Sequence, residues 1–125
     1  MEKSFEEKFA EAKAAVAALS AQQANALKQQ YPDTVFIDPR DAQDIESTTG
    51  IIPGALNVPL NELDNSSAVE LPQEISSRDC HIVAACQGGP MGALAAHALK
   101  KRGYNNVAFI DGGTQGWLDA GFATT

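Results

Sequence analysis

Apolar residues recur at spacings of three and four along the first twenty positions. Phe5, Phe9, Ala12, Val16 and Leu19 form one stripe, which predicts an amphipathic helix over residues 2–19. Ser20 restarts the pattern. Its hydroxyl can cap a second helix, with Gln23 three residues on in a capping-box arrangement. That helix runs to about Gln30 and is stopped by Tyr31-Pro32-Asp33. The period then changes. Thr34-Val35-Phe36-Ile37-Asp38 is a short, β-rich, nearly continuous apolar run, as expected of a strand buried on both faces. Pro39 ends it.

Residues 41–47 read as one short helix, residues 48–53 as loop and Ala55-Leu56-Asn57-Val58 as a brief strand. Residues 61–77 are polar and irregular, with room for a helical turn or two. His81-Ile82-Val83-Ala84-Ala85 is the next buried strand and runs straight into Cys86. Gln87-Gly88-Gly89-Pro90 is a tight loop, because adjacent glycines permit backbone angles closed to other residues. Residues 93–102 form an Ala- and Leu-rich helix with cations in its last turn and Gly103 as its stop. Val107-Ala108-Phe109-Ile110 is the last strand, and Asp111-Gly112-Gly113 turns into a final helix carrying Trp117 and Leu118. Strands alternating with helices imply an α/β domain with a central parallel sheet and right-handed crossovers. The first helix, within residues 1–19, is an extension of the domain formed by residues 20–125. It either packs on that domain or exchanges between chains to make a homodimer.

Charge and composition narrow the function. The chain has 125 residues and suits one core. A formal charge of −7 argues against nucleic acid or an anionic membrane as partner, since both need clustered cations. No apolar run approaches the roughly 18 residues of a membrane span. The charged start, Met1-Glu2-Lys3-Ser4, is unlike a secretory leader, so a cytoplasmic location is expected. The two cysteines, Cys80 and Cys86, are too few for a zinc shell, and neither a metal nor another cofactor is expected. Across a strand they lie roughly 20 Å apart at about 3.3 Å per residue, whereas a disulfide needs Cα atoms within about 7 Å.

Cys86 is the candidate for chemistry. It ends a strand, where open α/β sheets bind ligands. The residues after it, Gln87, Gly88, Gly89, Pro90, Met91 and Gly92, lead into a helix N-terminus. Their backbone N–H groups, where available, can form a nest around the sulfur, and the helix dipole adds partial positive charge. Both stabilise a thiolate, the nucleophilic form. A cysteine at a strand end is otherwise a small buried hydrophobe, but the double glycine and the helix start favour chemistry. Cys80, at the opposite end of the strand, has no such setting. His81 shares that end and His97 lies more than a turn into the next helix, so both read as surface or packing residues. Asp38 is expected to pair with Arg40 in a supporting role, and Trp117 to anchor the last helix.

Four stretches, in order, resemble the rhodanese superfamily. Phe36-Ile37-Asp38-Pro39-Arg40 is similar to its Asp-Val-Arg strand end, and Gly50-Ile51-Ile52-Pro53-Gly54-Ala55 to its Gly-His-Ile-Pro-Gly-Ala loop. Residues 86–92 are similar to its Cys-x-x-Gly-x-Arg-Ser loop, and Ile110-Asp111-Gly112-Gly113 through Gly116-Trp117 to its closing motif. The resemblance covers residues 20–122. It implies a rhodanese-like fold and a single-domain sulfurtransferase or persulfide carrier. Cys86 would take sulfur from thiosulfate or a persulfide and pass it to a thiol, an amine-type acceptor or cyanide. The alternative is a non-catalytic module that binds a partner protein. Two departures matter most. Met91 stands where the family has Arg, and Gly92 where it has Ser. Loss of one charge-assisted hydrogen bond should weaken thiosulfate binding roughly ten- to hundredfold. Ile51 and Pro39 replace the loop histidine and the strand-end valine without touching the proposed chemistry. A phosphatase of the Cys-x5-Arg type would need Arg at position 92 and is disfavoured.

Overall fold

The computed structural model describes residues 3–63 and 70–125. Its first helix, α1 (Phe5–Ala15), starts from Ser4, whose hydroxyl accepts from the Glu7 N–H while the Glu7 side chain reaches back to the Ser4 N–H. The helix expected through residue 19 stops four residues sooner, and its expected start at residue 2 lies outside the described residues. Ala17–Leu19 instead form a strand, β1, which pairs with a later strand, β5 (Asn106–Ile110), in the register Ala17↔Ala108 to Leu19↔Ile110. Two forces override the helical stripe there. The edge of β5 would otherwise be left without backbone partners, and Ser20 must be extended (φ −74, ψ 167) to cap α2 (Ala21–Gln30).

The sheet holds five strands in the order β1-β5-β4-β2-β3, all neighbours parallel. Here β2 is Val35–Asp38, β3 is Leu56–Asn57 and β4 is His81–Ala84. The remaining helices are α3 (Ala42–Ser47), α4 (Leu60–Leu63), α5 (Pro90–Lys101) and α6 (Gly113–Asp119), with a 3-10 turn at Gln73–Ile75. The irregular stretch expected over residues 61–77 includes 64–69, which lie outside the described residues.

Period-two alternation sends strand side chains to opposite faces. Ile37, Ile82, Ala84 and Phe109 pack with Ala12, Ala93, Ala96 and Leu99, the face covered by α1 and α5. Phe36, Val83, Ala85 and Ile110 pack with Ala21, Ala24 and Trp117, the face covered by α2 and α6. Burial on both faces explains why these strands read as continuous apolar runs. Trp117 meets Phe36 edge-on at 5.7 Å and Phe122 at 4.5 Å, and its indole N–H donates to the Ala123 carbonyl. Among the described residues no helix is long and apolar enough to cross a membrane.

Ser20 is where β1 hands over to α2, and its cap carries both. Ser20→Ala should cost about 1 kcal/mol of stability, read as a lower urea midpoint with an unchanged slope.

Candidate functional site

β2 and β4 are neighbours in the sheet, and both end at the same rim. Beyond Ala84 the pairing continues for one residue, with the Ala85 N–H donating to the Ile37 carbonyl at 2.9 Å. Cys86 comes next. From β2 the chain moves outward to β3; from β4 it moves the other way, to β5. A crevice opens where strand connections diverge in this manner. A cavity of about 360 Å³ occupies that place, lined by Arg40, Asp44 and Thr48 from the β2 side and by Cys86, Gln87, Gly88, Pro90 and Met91 from the β4 side. Phe5 of α1 completes its wall. Cys86 is 3% exposed.

The loop after Cys86 is held from behind by α6. The Thr114 N–H donates to the Cys86 carbonyl at 2.6 Å and the Gln115 N–H to the Gln87 carbonyl at 3.0 Å. These donors belong to the first turn of a helix, whose N–H groups have no partner within the helix itself. In a trans peptide the N–H points opposite to the carbonyl. Pinning the two carbonyls on α6 therefore turns the N–H groups of Gln87 and Gly88 away from it. The approach demands Gly113: a Cβ there would lie 2.5 Å from the Cys86 oxygen and 2.6 Å from the Gln87 oxygen, and φ is +64°.

The Gly89 N–H donates to the Cys86 Sγ at 3.0 Å. Gly89 also caps α5 with φ 126°, a conformation that suits glycine. α5 starts at Pro90, three residues earlier than the sequence pattern suggests, because proline is pre-set for the first helical position. Met91 and Gly92 are accordingly in its first turn. Among residues 87–92, Gly89 is the one whose N–H bonds Sγ; Pro90 has no N–H to offer. Gly92 is packed closely, since a Cβ would stand 3.2 Å from the Ala84 oxygen and 3.4 Å from the Cys86 nitrogen.

Asp38 and Arg40 form a buried bidentate ion pair beneath the cavity. Arg40 Nε donates to Asp38 Oδ1 at 3.0 Å and Nη2 to Oδ2 at 2.7 Å, with both residues under 4% exposed. Nη1 also donates to the Thr48 hydroxyl, and Nη2 to the Thr49 hydroxyl and the Gly50 carbonyl. The Asn57 side-chain amide holds the carbonyls of both Asp38 and Arg40. Arg40 thus lines the cavity with its charge already answered.

Other residues lie elsewhere. Cys80 is free and half-buried, and burial pushes its thiol up. His81 stacks on Tyr31 at 4.1 Å, at the far end of β4 from Cys86. His97 faces a separate cavity alongside α5. Burial and the nearby Lys101 hold its imidazole below the ordinary value of 6.5. Among the described residues no three His, Cys, Asp or Glu side chains converge as metal ligands do. Sequence reasoning did not find Phe5 as part of the cavity wall, nor the clamp made by Gly113, Thr114 and Gln115. The double glycine at 112–113 was the available signal for the clamp; Phe5 is some eighty residues from Cys86 and gave none.

Arg40→Leu would leave the Asp38 carboxylate buried without its cation. Such a change should cost about 3–5 kcal/mol in a urea titration, and adding Asp38→Leu should restore part of the loss. His97 yields a second prediction. A folded-state value below the unfolded 6.5 means the uncharged ring is favoured in the fold. Its contribution to stability is therefore full above about 6.5 and is lost as pH falls through the folded value. The ring resonances should titrate below 6.5, and Lys101→Met should move the midpoint up.

The family model for the rhodanese-like domain matches residues 20–120. The human thiosulfate:glutathione sulfurtransferase is 30% identical over 82 residues, covering 59% of this chain and 71% of that protein. The Arabidopsis thaliana protein HIGH ARSENIC CONTENT 1, mitochondrial, is 36% identical over 75 residues, or 55% of this chain; the match spans 44% of that relative's length. Among solved structures, a Rhodopseudomonas palustris protein of unknown function, described as a possible tyrosine phosphatase, superposes with a TM-score of 0.84 at 32% identity, covering 100% of this chain and 96% of its own. A family match running from the second helix to the last, over a five-stranded parallel sheet with Cys86 at its rim, makes this chain a member of the rhodanese-like domain family.

Proposed function

We propose that the chain is a sulfurtransferase or persulfide carrier that moves sulfane sulfur on Cys86. The observation that carries this reading is the setting of Sγ: at the end of a central strand, lining a cavity, and accepting the Gly89 N–H at 3.0 Å. The Cys86 thiolate attacks the outer sulfur of a donor. A new S–S bond forms, the donor's own S–S bond breaks, and the donor leaves with that electron pair, as sulfite from thiosulfate or as a thiolate from a persulfide. An acceptor thiolate or cyanide then attacks the outer sulfur of the Cys86 persulfide, and the Cys86 thiolate departs. No net oxidation is required. The backbone donors after Cys86 offset the negative charge of the persulfide. A reducing compartment such as the cytoplasm suits this chemistry, since free thiols persist there.

Position 91 shapes the choice of donor. Thiosulfate is a dianion whose charge lies entirely on and next to the reacting sulfur, and Arg40, the arginine lining the cavity among the described residues, is committed to Asp38. Met91 supplies no cation. A less charged persulfide end should therefore be preferred over thiosulfate. A non-catalytic binding module is the second reading, favoured by the same two replacements, Met91 and Gly92. A phosphatase reading is supported by the description of the R. palustris neighbour. It is opposed by glycine at position 92 and by a helix that begins at Pro90, leaving a loop of three residues after Cys86.

Intact mass spectrometry separates these readings. The reduced protein is incubated with thiosulfate or with a small organic persulfide, beside Cys86→Ser and Cys80→Ser. The expected result is a gain of one sulfur from the organic persulfide, lost in Cys86→Ser and kept in Cys80→Ser. Met91→Arg should raise loading from thiosulfate roughly ten- to hundredfold. No gain from either donor in folded, reduced protein would leave the binding module as the better account. Turnover of p-nitrophenyl phosphate dependent on Cys86 would favour the phosphatase.

A further inference from the structure

The Cys86 cavity has a neighbour on the other side of Phe5. The same ring forms a wall of a second cavity of about 470 Å³, which lies between α1 and α5. On α5, Met91 lines the first cavity and Leu94, Ala98 and Lys101 line the second. Their spacings of three, four and three make one stripe along the helix. From Met91 to Lys101 that stripe is about 15 Å long, at 1.5 Å per residue. The two cavities adjoin at Phe5, the lining residue they share, and set end to end they follow α5 outward from the sulfur as a trough divided by that ring. Its near part is largely apolar, walled by Phe5, Met91 and Leu94, with the Asp44 carboxylate and Thr48 on the β2 side. Among the described residues, its far part carries Lys3, Lys8 and Lys101 against one carboxylate, Glu11, which is paired with Lys3. Lys8 and Lys101 are exposed and make no ion pair among the described residues. This is local positive charge on a chain whose formal charge is −7. It lies away from the sulfur, where among the described residues the one lining cation, Arg40, is bonded to Asp38.

We propose that this trough is a subsite for a low-molecular-weight thiol, or its persulfide, that carries carboxylate or phosphate groups on a chain leading away from its sulfur. The sulfur end reaches Sγ past Phe5, and the anionic end rests between Lys8 and Lys101. The proposal rests on the reading of Cys86 as a sulfur carrier. Two volumes of this size suit a small molecule, and the split between an apolar near end and a cationic far end fixes its orientation. Thiosulfate is too short to reach both ends. One wall of the subsite lies outside the family match, which begins at residue 20: Phe5 and Lys8 stand on α1, and Lys3 just precedes it.

The test compares the rate at which Cys86 gains sulfur from an uncharged alkyl persulfide, from glutathione persulfide and from coenzyme A persulfide. It is run in the full chain and in Lys8→Gln/Lys101→Gln. The readout is the ratio of each anionic donor's rate to that of the uncharged donor. Two exposed charges together should lower that ratio roughly tenfold in the double variant, and added salt should lower it in the unaltered protein. A fall confined to glutathione persulfide assigns the subsite to carboxylates; one confined to coenzyme A persulfide assigns it to phosphates. An unchanged ratio for both, with the uncharged donor loading Cys86, overturns the subsite and leaves the sulfur-carrier reading standing. Should no donor load, S-methyl glutathione and S-methyl coenzyme A are titrated into nitrogen-15-labelled protein. Shifts at the amides of Lys8, Leu94 and Lys101 support the subsite without the chemistry, and their absence removes both.

Discussion

The backbone of α6 sits against the backbone of the Cys86 loop with no side chain between them. Gly113 makes this possible, and the N–H groups of Thr114 and Gln115 make it favourable by taking the carbonyls of Cys86 and Gln87. Buried backbone groups must find partners, so the contact answers two requirements together. The first turn of α6 is relieved of two orphan donors, and a loop that follows a central strand is relieved of two orphan acceptors. The consequence for chemistry is directional. With its carbonyls drawn back, the loop can offer N–H groups on its other side, and the Gly89 N–H meets Sγ. A helix that contributes no side chain to the cavity thus sets the polarity of the cavity wall.

Charge is handled in an equally divided way. The cation that lines the Cys86 cavity, Arg40, is buried and bonded to Asp38, Thr48, Thr49 and Gly50. Its work is to tie the end of β2 to the loop before β3. A buried pair of this kind is weak as a source of net stability but costly to break, which makes it a fastener rather than a binding group. The uncommitted lysines lie further out, on α1 and α5. A site arranged in this manner favours a ligand whose charge is remote from its reacting atom.

Much of this was legible in the sequence. The three central strands, β2, β4 and β5, were legible because their continuous apolar runs match burial on both faces, as Phe36 and Ile37 illustrate by pointing to opposite layers. The rim position of Cys86 followed from the apolar run before it and the glycines after it. Beside the Phe5 wall and the α6 clamp, two element boundaries were not legible. Ala17–Leu19 read as helix because alanine and the apolar stripe both favour one, and the partner that turned them into a strand, β5, lies about ninety residues away. The start of α5 was placed late because Pro90 reads as part of a turn, although proline is equally at home in a first helical turn. In both cases a local signal had two meanings, and tertiary contact selected between them.

The strand β1 links that misreading to the site. Because Leu19 and Ile110 are paired, the Asp111 N–H can donate to the Leu19 carbonyl at 2.8 Å, and the turn into Gly112 and Gly113 begins from a fixed point. The turn in turn places the first N–H groups of α6 under the Cys86 loop. The N-terminal segment therefore acts on the cavity twice. Through β1 it braces the turn that holds the loop from behind, and through Phe5 of α1 it forms a wall in front. A segment that precedes the family match in sequence is, in space, part of the frame around the sulfur.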